Sequence, residues 1–363
     1  MEEFEVKVER LRKLMKKREL KGVLLSRVEN FAWITCGGRS WVVTSNPVGV
    51  ASVLVTENAV YMISNNIEME RLLKEETPSG SLFTPLEYRW YESEEKVLST
   101  FDLSNTGSDT GAYGTLDVSG DIKKLRVKLT PWEIERYRKF GEELQMVFEE
   151  AVDTFHPDMT EFEASGILQN AMFAHGFEAP VLLVFGDESR KLYRHNIPRD
   201  VKLGNTFFAS TCAGKGGLIL ALTRMVSFVN DAHLEDQYLK NAMIDAEEFL
   251  ESLEGRRLNE MFNIIKGLYE KQGVAEQFEL HHQGGTIAYL PREEISTPSS
   301  ETILESNMAV AWNPTITGTK LEDTILITEA GNEYVTFTEK SKWPVLELNV
   351  NGTTVKRPGI LKK

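Results

Sequence analysis

The sequence has little of what disulfide-rich, membrane-bound or secreted proteins require. Only two cysteines occur in 363 residues, Cys36 and Cys212, so a disulfide framework is excluded and reduced thiols are expected. No apolar run approaches the roughly 18 residues that a membrane-spanning helix needs. The charged segment Met1–Leu20 also lacks the apolar core of a signal peptide. We therefore expect a soluble, cytoplasmic protein with no membrane partner.

Positive charge is scarce as well. The chain has 55 Asp and Glu residues against 41 Lys and Arg residues, which gives a formal net charge of −14. An acidic protein repels the phosphate backbone of nucleic acids, and no run of Lys and Arg offsets this charge. The sequence therefore predicts that nucleic acid is not a partner.

Common catalytic signatures are absent. The chain contains no HExxH motif, no CxxC pair, no GxSxG motif and no Walker loop. Three of the six histidines stand at predicted helix ends, where capping or solvent exposure explains them: His156, His175 and His233. His195 lies in a polar loop, and His281 and His282 precede two glycines, which implies a close backbone approach. These three histidines are the candidates for chemistry.

The pattern of apolar residues predicts two domains, residues 1–126 and residues 127–363. The first domain alternates strands and helices, beginning with a helix that we expect to stop near Gly22. Its further segments are two apolar strands, a hairpin strand and a helix: Gly22–Ser26, Ala51–Thr56, Asn58–Ser64 and Asn66–Glu76. A polar stretch, Asp102–Asp121, then separates this small α/β domain from the second domain.

The second domain opens with strong helix signals. Thr130 and Glu133 have the spacing of a capping box around Pro131, and Thr160 and Glu163 repeat that spacing. Apolar patterns then predict helices near 232–252 and 257–272, and strands near 180–185, 206–211, 308–313 and 323–328. Helix pairs that alternate with antiparallel strands indicate an α+β fold.

A polar cluster lies between the last two predicted strands. Asn313 ends one apolar run, and Glu322 begins the next with Lys320 nearby. One interpretation is a hairpin with solvated charges at its turn. The other places Asn313 and Glu322 side by side on adjacent strands.

The order of landmarks along the chain resembles the pita-bread family, which includes creatinase, aminopeptidase P and prolidase. The first segment is similar to that family's N-terminal domain, and later segments match its catalytic domain in order: LRVKLTPWEIERYRKF, RHNIPRDVKLGNTFFAS, ILALTRMV, HHQGG, MAVAWNP and KLEDTILIT. The resemblance implies a C-terminal pita-bread domain preceded by a smaller creatinase-type domain.

Metal-dependent members of this family hold two divalent ions with two aspartates, one histidine and two glutamates. The matching positions in this chain are Ser210, Ala221, His282, Asn313 and Glu322. One histidine and one carboxylate cannot supply the anionic oxygens that two dications need. The resemblance therefore implies that the dinuclear centre has been lost, and we predict neither a metal nor another cofactor. Either His281 or His282 could be the site histidine.

The residues that remain can still support acid–base chemistry, since creatinase works without metal and has a histidine at the position of His195. The implied catalytic set is His195, His282 and Glu322. The implied substrate-binding residues are Asn313, Tyr289, Arg292, Lys320 and Arg39. Arg39 lies in a loop that reaches a neighbouring subunit's site in this family, so the resemblance also implies a homodimer.

Three functions stay open. The leading hypothesis is a metal-independent hydrolase of a C–N bond in a small amide, amidine or dipeptide-like substrate, because His195, His282 and Glu322 are retained in an otherwise altered pocket. The second is an Xaa-Pro aminopeptidase or prolidase-like peptidase. The third is a non-catalytic protein that binds a small molecule or short peptide in the former active site.

Overall fold

The computed structural model describes all 363 residues, which form two compact units. Unit 1 comprises Met1–Lys128 with Gly216–Leu218, and unit 2 comprises Leu129–Lys215 with Ile219–Lys363. None of the helices combines the length and the apolar character that crossing a bilayer requires.

Unit 1 contains a six-stranded mixed sheet with strand order β4-β3-β2-β1-β5-β6. Its strands are β1 (Gly22–Arg27), β2 (Val48–Thr56), β3 (Val60–Asn65), β4 (Thr84–Tyr88), β5 (Thr106–Ser108) and β6 (Leu116–Asp117). Its helices are α1 (Glu2–Arg18), α2 (Val28–Ile34), α3 (Met69–Glu75), α4 (Glu95–Leu98) and α5 (Ser119–Arg126).

The strands and helices that the sequence predicts for this part of the chain are present in unit 1, with one boundary shifted. β2 and β3 make the expected antiparallel hairpin, in which Val55 pairs with Val60. Helix α1 ends earlier than Gly22, because Glu19 adopts the left-handed conformation and its amide bonds Met15. Gly22 is instead the first residue of β1, so our expected helix stop was wrong by several residues.

Unit 2 contains a nine-stranded sheet whose main path is β11-β10-β12-β15-β9-β8-β7, with β16 beside β15 and β19 beside β9. Its strands are β7 (Glu178–Phe185), β8 (Thr206–Lys215), β9 (Leu218–Ser227), β10 (Gly284–Ile287), β11 (Glu294–Ile295), β12 (Met308–Trp312), β13 (Thr315–Ile316), β14 (Thr319–Lys320), β15 (Glu322–Thr328), β16 (Gly331–Tyr334), β17 (Val345–Val350), β18 (Thr353–Pro358) and β19 (Leu361–Lys362). Its helices are α6 (Pro131–Asp153), α7 (Glu161–Ala174), α8 (Ser189–Leu192), α9 (Ala232–Glu251) and α10 (Leu258–Lys271).

Capping and apolar packing hold these helices on the sheet. Both predicted capping boxes form, at Thr130 with Glu133 and at Thr160 with Glu163. One buried cluster joins α9 and α10 to strands β12 and β15, and Trp312 lies at its centre without solvent exposure. The α+β class expected from the sequence is confirmed.

Strand order brings distant polar segments to one part of the sheet. β15 is antiparallel to both β12 and β9, with Trp312 opposite Asp323 and Thr223 opposite Glu322. Extending the antiparallel pairing of β12 and β15 by one residue beyond Trp312 places Asn313 opposite Glu322. The sheet therefore assembles the segments that end β12, begin β15 and lie within β9.

Candidate active site

Three imidazoles from two loops converge in unit 2. His195 follows α8, whereas His281 and His282 immediately precede β10. Their ligand nitrogens all lie within 4.8 Å of one another, and Nε2 of His195 is 3.1 Å from Nε2 of His281. His195 is exposed and the other two are half-buried, so the cluster opens to solvent.

Backbone contacts orient the paired histidines. Nδ1 of His281 bonds the carbonyl oxygen of His282, so this nitrogen carries the proton and Nε2 keeps a lone pair. Nε2–H of His195 can then donate to His281, which leaves Nδ1 of His195 as a free acceptor. The amide of Gly284 donates to Nδ1 of His282 across 3.3 Å. The sequence left His281 and His282 as alternatives, and the structure brings His281 into contact with His195.

Glu322 lies between two cations, the buried Lys320 and the mostly buried Arg292. Nη2 of Arg292 donates to Oε1 of Glu322 at 2.6 Å, and Nζ of Lys320 lies 3.8 Å from Oε2. The side chains of Lys320 and Glu322 are 4% and 3% exposed. Burial lowers the pKa of Lys320 from its ordinary value, while Glu322 opposes this shift. With Lys320 protonated, the three groups together carry one net positive charge.

The pKa values in this region reflect burial and these charges. Burial opposes ionisation of Glu322, but Lys320 and Arg292 outweigh it and hold the pKa of the carboxyl below its usual range. Burial and the nearby Lys320 lower the pKa of His195 and bring the pKa of His281 to about 2. Burial and then Arg292 lower the pKa of His282 to about 4. The three imidazoles are therefore neutral near pH 7.

Hydroxyl groups complete the surroundings of Glu322. Thr223 donates to Oε2 of Glu322 at 3.0 Å, and Ser210 bonds both Thr223 and Glu322. Cys212, two residues after Ser210 on the same strand, is buried, and burial raises the pKa of its thiol to about 11. The sequence reasoning missed Cys212, although strand alternation could have placed it on the face of Ser210.

Arg224 does not belong to this site. Successive strand residues point to opposite faces of a sheet, so Arg224 and Asp323 face away from Thr223 and Glu322. Nη2 of Arg224 donates to Oδ1 of Asp323 at 2.8 Å, and Arg357 binds the same carboxylate at 2.7 Å. Arg224 therefore belongs to a separate buried ion network and adds no charge to the pocket.

Asn313 is linked to the histidine segment through the backbone. The backbone N–H of Asn313 donates to the backbone carbonyl of Gln283 at 3.3 Å. The hydroxyl of Tyr269 donates to the side-chain oxygen of Gln283 at 2.8 Å. The buried Oδ1 of Asn313 has no hydrogen-bond partner, and neither has the buried Nε of Arg292. One acceptor and one donor therefore remain available to a ligand.

The two glycines after the histidines have a structural purpose. A Cβ atom on Gly284 would lie 2.1 Å from the carbonyl oxygen of Ala311, and one on Gly285 would lie 2.0 Å from that of Glu294. The close approach that the sequence predicts is real, but the neighbours are strands β12 and β11. The glycines thus position His281 and His282 by allowing tight strand pairing.

Two other predicted substrate-binding residues have contacts elsewhere. The hydroxyl of Tyr289 donates to Oε1 of Glu133 at 2.5 Å. Arg39 belongs to unit 1 and pairs with Glu76 at 3.2 Å, while more than half of its side chain is exposed. Their roles toward a substrate stay predictions.

The residues present do not fit the dinuclear metal centre of the pita-bread family. Its two aspartate positions match Ser210 and the fully buried Ala221, and Asn313 stands at one glutamate position. The remaining carboxylate, Glu322, is engaged by Arg292 and Lys320. Two protein cations beside one carboxylate disfavour two dications in the same space.

Comparison with known proteins identifies the family. The model of metallopeptidase family M24 matches residues 135–329, more than half of the chain, and the protein therefore belongs to this family. An uncharacterized peptidase of Staphylococcus aureus is 24% identical over 263 residues, which cover 69% of this chain and 73% of the relative. Family membership supports a peptidase or other hydrolase function.

Solved structures show the same fold. A prolidase from Pyrococcus horikoshii matches with a TM-score of 0.77 at 18% identity, covering 92% of this chain and 98% of the other. An Xaa-Pro dipeptidase from Bacillus anthracis matches with a TM-score of 0.75 at 20% identity and the same coverage. The pita-bread fold expected from the order of landmarks is confirmed.

Proposed function

We propose that this protein hydrolyses a C–N bond in a small amide, amidine or dipeptide-like substrate without the family's dinuclear metal centre. The observation that carries the proposal is the pair of buried cations, Arg292 and Lys320, beside the contacting histidines His195 and His281. In this proposal the cations supply the positive charge that metal ions supply in other family members, and the histidines supply the acid–base groups.

The chemistry follows from the hydrogen-bond directions. His281 accepts from Nε2–H of His195, so Nδ1 of His195 can take a proton from water as that water attacks the carbonyl or amidine carbon. The C–N bond then breaks, and the same proton passes from His195 to the leaving nitrogen. The positive charge of Arg292 and Lys320 stabilises negative charge that develops on the attacked group.

The charge of the site favours an anionic or neutral substrate. Glu322 neutralises one of the two buried cations, and no second carboxylate stands at the positions of Thr223 and Asn313. A guanidinium group, as in creatine, would meet net positive charge. The unpartnered Oδ1 of Asn313 and Nε of Arg292 suit an amide, which offers both a donor and an acceptor.

Hydrolysis without added metal tests this proposal. Small amides, amidines and dipeptides, each as a carboxylate and as its uncharged ester or amide, are incubated with the protein in excess EDTA. We expect amine release that EDTA does not reduce and that is faster for the carboxylate form. Turnover that appears only with added manganese or cobalt would refute metal independence and support a prolidase-like peptidase.

The same screen distinguishes a binding protein from an enzyme. Compounds that raise the melting temperature are recovered and analysed by mass spectrometry. A compound that stabilises the protein, is recovered intact and binds equally well to His195→Ala would contradict the hydrolase proposal. A homodimer in which Arg39 contributes to the neighbouring site is part of the proposal, and mixing Arg39→Ala with His195→Ala tests it by restored activity.

A further inference from the structure

The three histidines have a geometry that suits one metal ion rather than two. Zinc binds imidazole nitrogen at 2.0–2.1 Å, which places neighbouring ligands about 3.3 Å apart in a tetrahedral site. The Nε2 atoms of His195 and His281 are 3.1 Å apart, and the ligand nitrogen of His282 lies within 4.8 Å of both. The three ligand nitrogens are therefore close enough together to share one metal ion.

The hydrogen bonds prepare these rings as ligands. Nδ1–H of His281 donates to a backbone carbonyl, the contact that commonly orients a metal-bound imidazole, and Nε2 presents its lone pair. The His282 ring accepts a long hydrogen bond of 3.3 Å from the Gly284 amide, which a metal can replace. His195 is exposed, so an ion can enter and keep a fourth position for water.

We propose that His195, His281 and His282 bind a single transition-metal ion such as Zn²⁺ and that this ion inhibits the enzyme. The site differs from the family's dinuclear centre, with which it shares only the His282 position. Inhibition rests on the proposed function, because a metal on Nε2 of His195 moves the ring proton to Nδ1, the nitrogen that takes a proton from water in the metal-free reaction. Binding of the ion rests on the histidine geometry alone.

The neighbouring charges set the strength of this site. Lys320 and Arg292 repel a dication, whereas Glu322 attracts it, so the net field opposes binding. We therefore expect binding that is weaker than at a structural zinc site and that EDTA reverses. Neutralising Lys320 should tighten metal binding by about tenfold or more, while the same change should weaken binding of an anionic substrate.

Titration with Co²⁺ and Zn²⁺ alone tests binding without an activity assay. We expect one equivalent of Co²⁺ to give the visible absorption of a four-coordinate nitrogen-bound ion, and Zn²⁺ to displace it. His195→Ala and His281→Ala should each lose this absorption, while the exposed His233→Ala should retain it. Two histidine variants are used so that the result holds if one of them fails to fold.

The charge variant and the activity assay separate the two parts of the proposal. Lys320→Gln should bind Co²⁺ more tightly than the wild type. If the wild type binds no Co²⁺, or if both histidine variants bind it equally well, the metal site is refuted whatever the activity. If Co²⁺ binds but metal-free hydrolysis is absent, the metal site stands and the proposed function fails. If hydrolysis persists unchanged in the fully loaded protein, the inhibitory role is refuted.

Discussion

Arg292 donates to one carboxylate oxygen of Glu322 at 2.6 Å, and Nζ of Lys320 lies 3.8 Å from the other oxygen. The contact joins a residue of the loop between β10 and β11 to the first residue of β15, 30 positions further along the chain. The contact is an ion pair that is largely shielded from solvent, and the second cation, Lys320, gives the three groups together a net positive charge. The predictions below examine its chemistry and its energetics.

Replacing the exposed base tests the chemistry. We expect His195→Ala to lower kcat by about 10²–10⁴-fold, the usual contribution of a positioned acid–base group. The fold should be retained because His195 lies in an exposed loop. Steady-state kinetics on the best substrate from the metal-free screen measures the effect, and His233→Ala, an exposed change on α9, serves as the control. Equal kcat in His195→Ala and the wild type would exclude His195 as the base.

Removing the buried carboxylate tests the energetics. Glu322→Gln leaves Arg292 and Lys320 without their anionic partner, and breaking a buried pair in this way costs about 3–5 kcal/mol. Urea unfolding should show this loss at neutral pH. The control is Glu333→Gln, which breaks the more exposed pair with Arg138 and should cost no more than about 1 kcal/mol. Similar losses of unfolding free energy in both variants would mean that the buried pair contributes no more to stability than the exposed pair.

A second buried carboxylate predicts how stability depends on pH. Glu248 is fully buried, neither of its oxygens has a hydrogen-bond partner, and burial raises its pKa well above the ordinary 4.5. Its raised pKa in the folded state means that its contribution to stability is complete below about pH 4 and is lost as the pH rises toward the folded-state pKa.

Glu248→Gln should therefore stabilise the protein, and by more at pH 8 than at pH 5, because glutamine mimics the protonated acid. Melting temperatures across this range measure the difference, with the exposed Glu235→Gln on the same helix as control. A gain that does not change with pH would contradict the assignment of a raised pKa to Glu248.

Gly284, the first residue of β10, provides a test of the strand pairing. Gly284 has φ +101°, and a Cβ there would meet the Ala311 carbonyl at 2.1 Å. We expect Gly284→Ala to cost about 3 kcal/mol or more, since both strain and a clash arise. Gly267→Ala on α10 meets open space and should stabilise the protein by about 0.5–1 kcal/mol. Denaturant unfolding compares the two, and a mild effect at Gly284 would show that β10 and β12 can separate without loss.

The sequence by itself determined the elements and their class. Capping boxes at Thr130 and Thr160, apolar strand runs and ordered landmarks act locally, so they can be read without knowing which strands pair. Residue identity also places Ser210, Ala221 and Asn313 where the resemblance to the family implies carboxylates.

Only the tertiary structure decided which side chains meet. Strand register placed Thr223 opposite Glu322 and directed Arg224 with Asp323 to the other face of the sheet. Loop packing brought His281, as well as His282, to His195 across 86 positions of the chain. Such contacts depend on long-range pairing and on the direction of each side chain, and no local pattern of residues specifies either one.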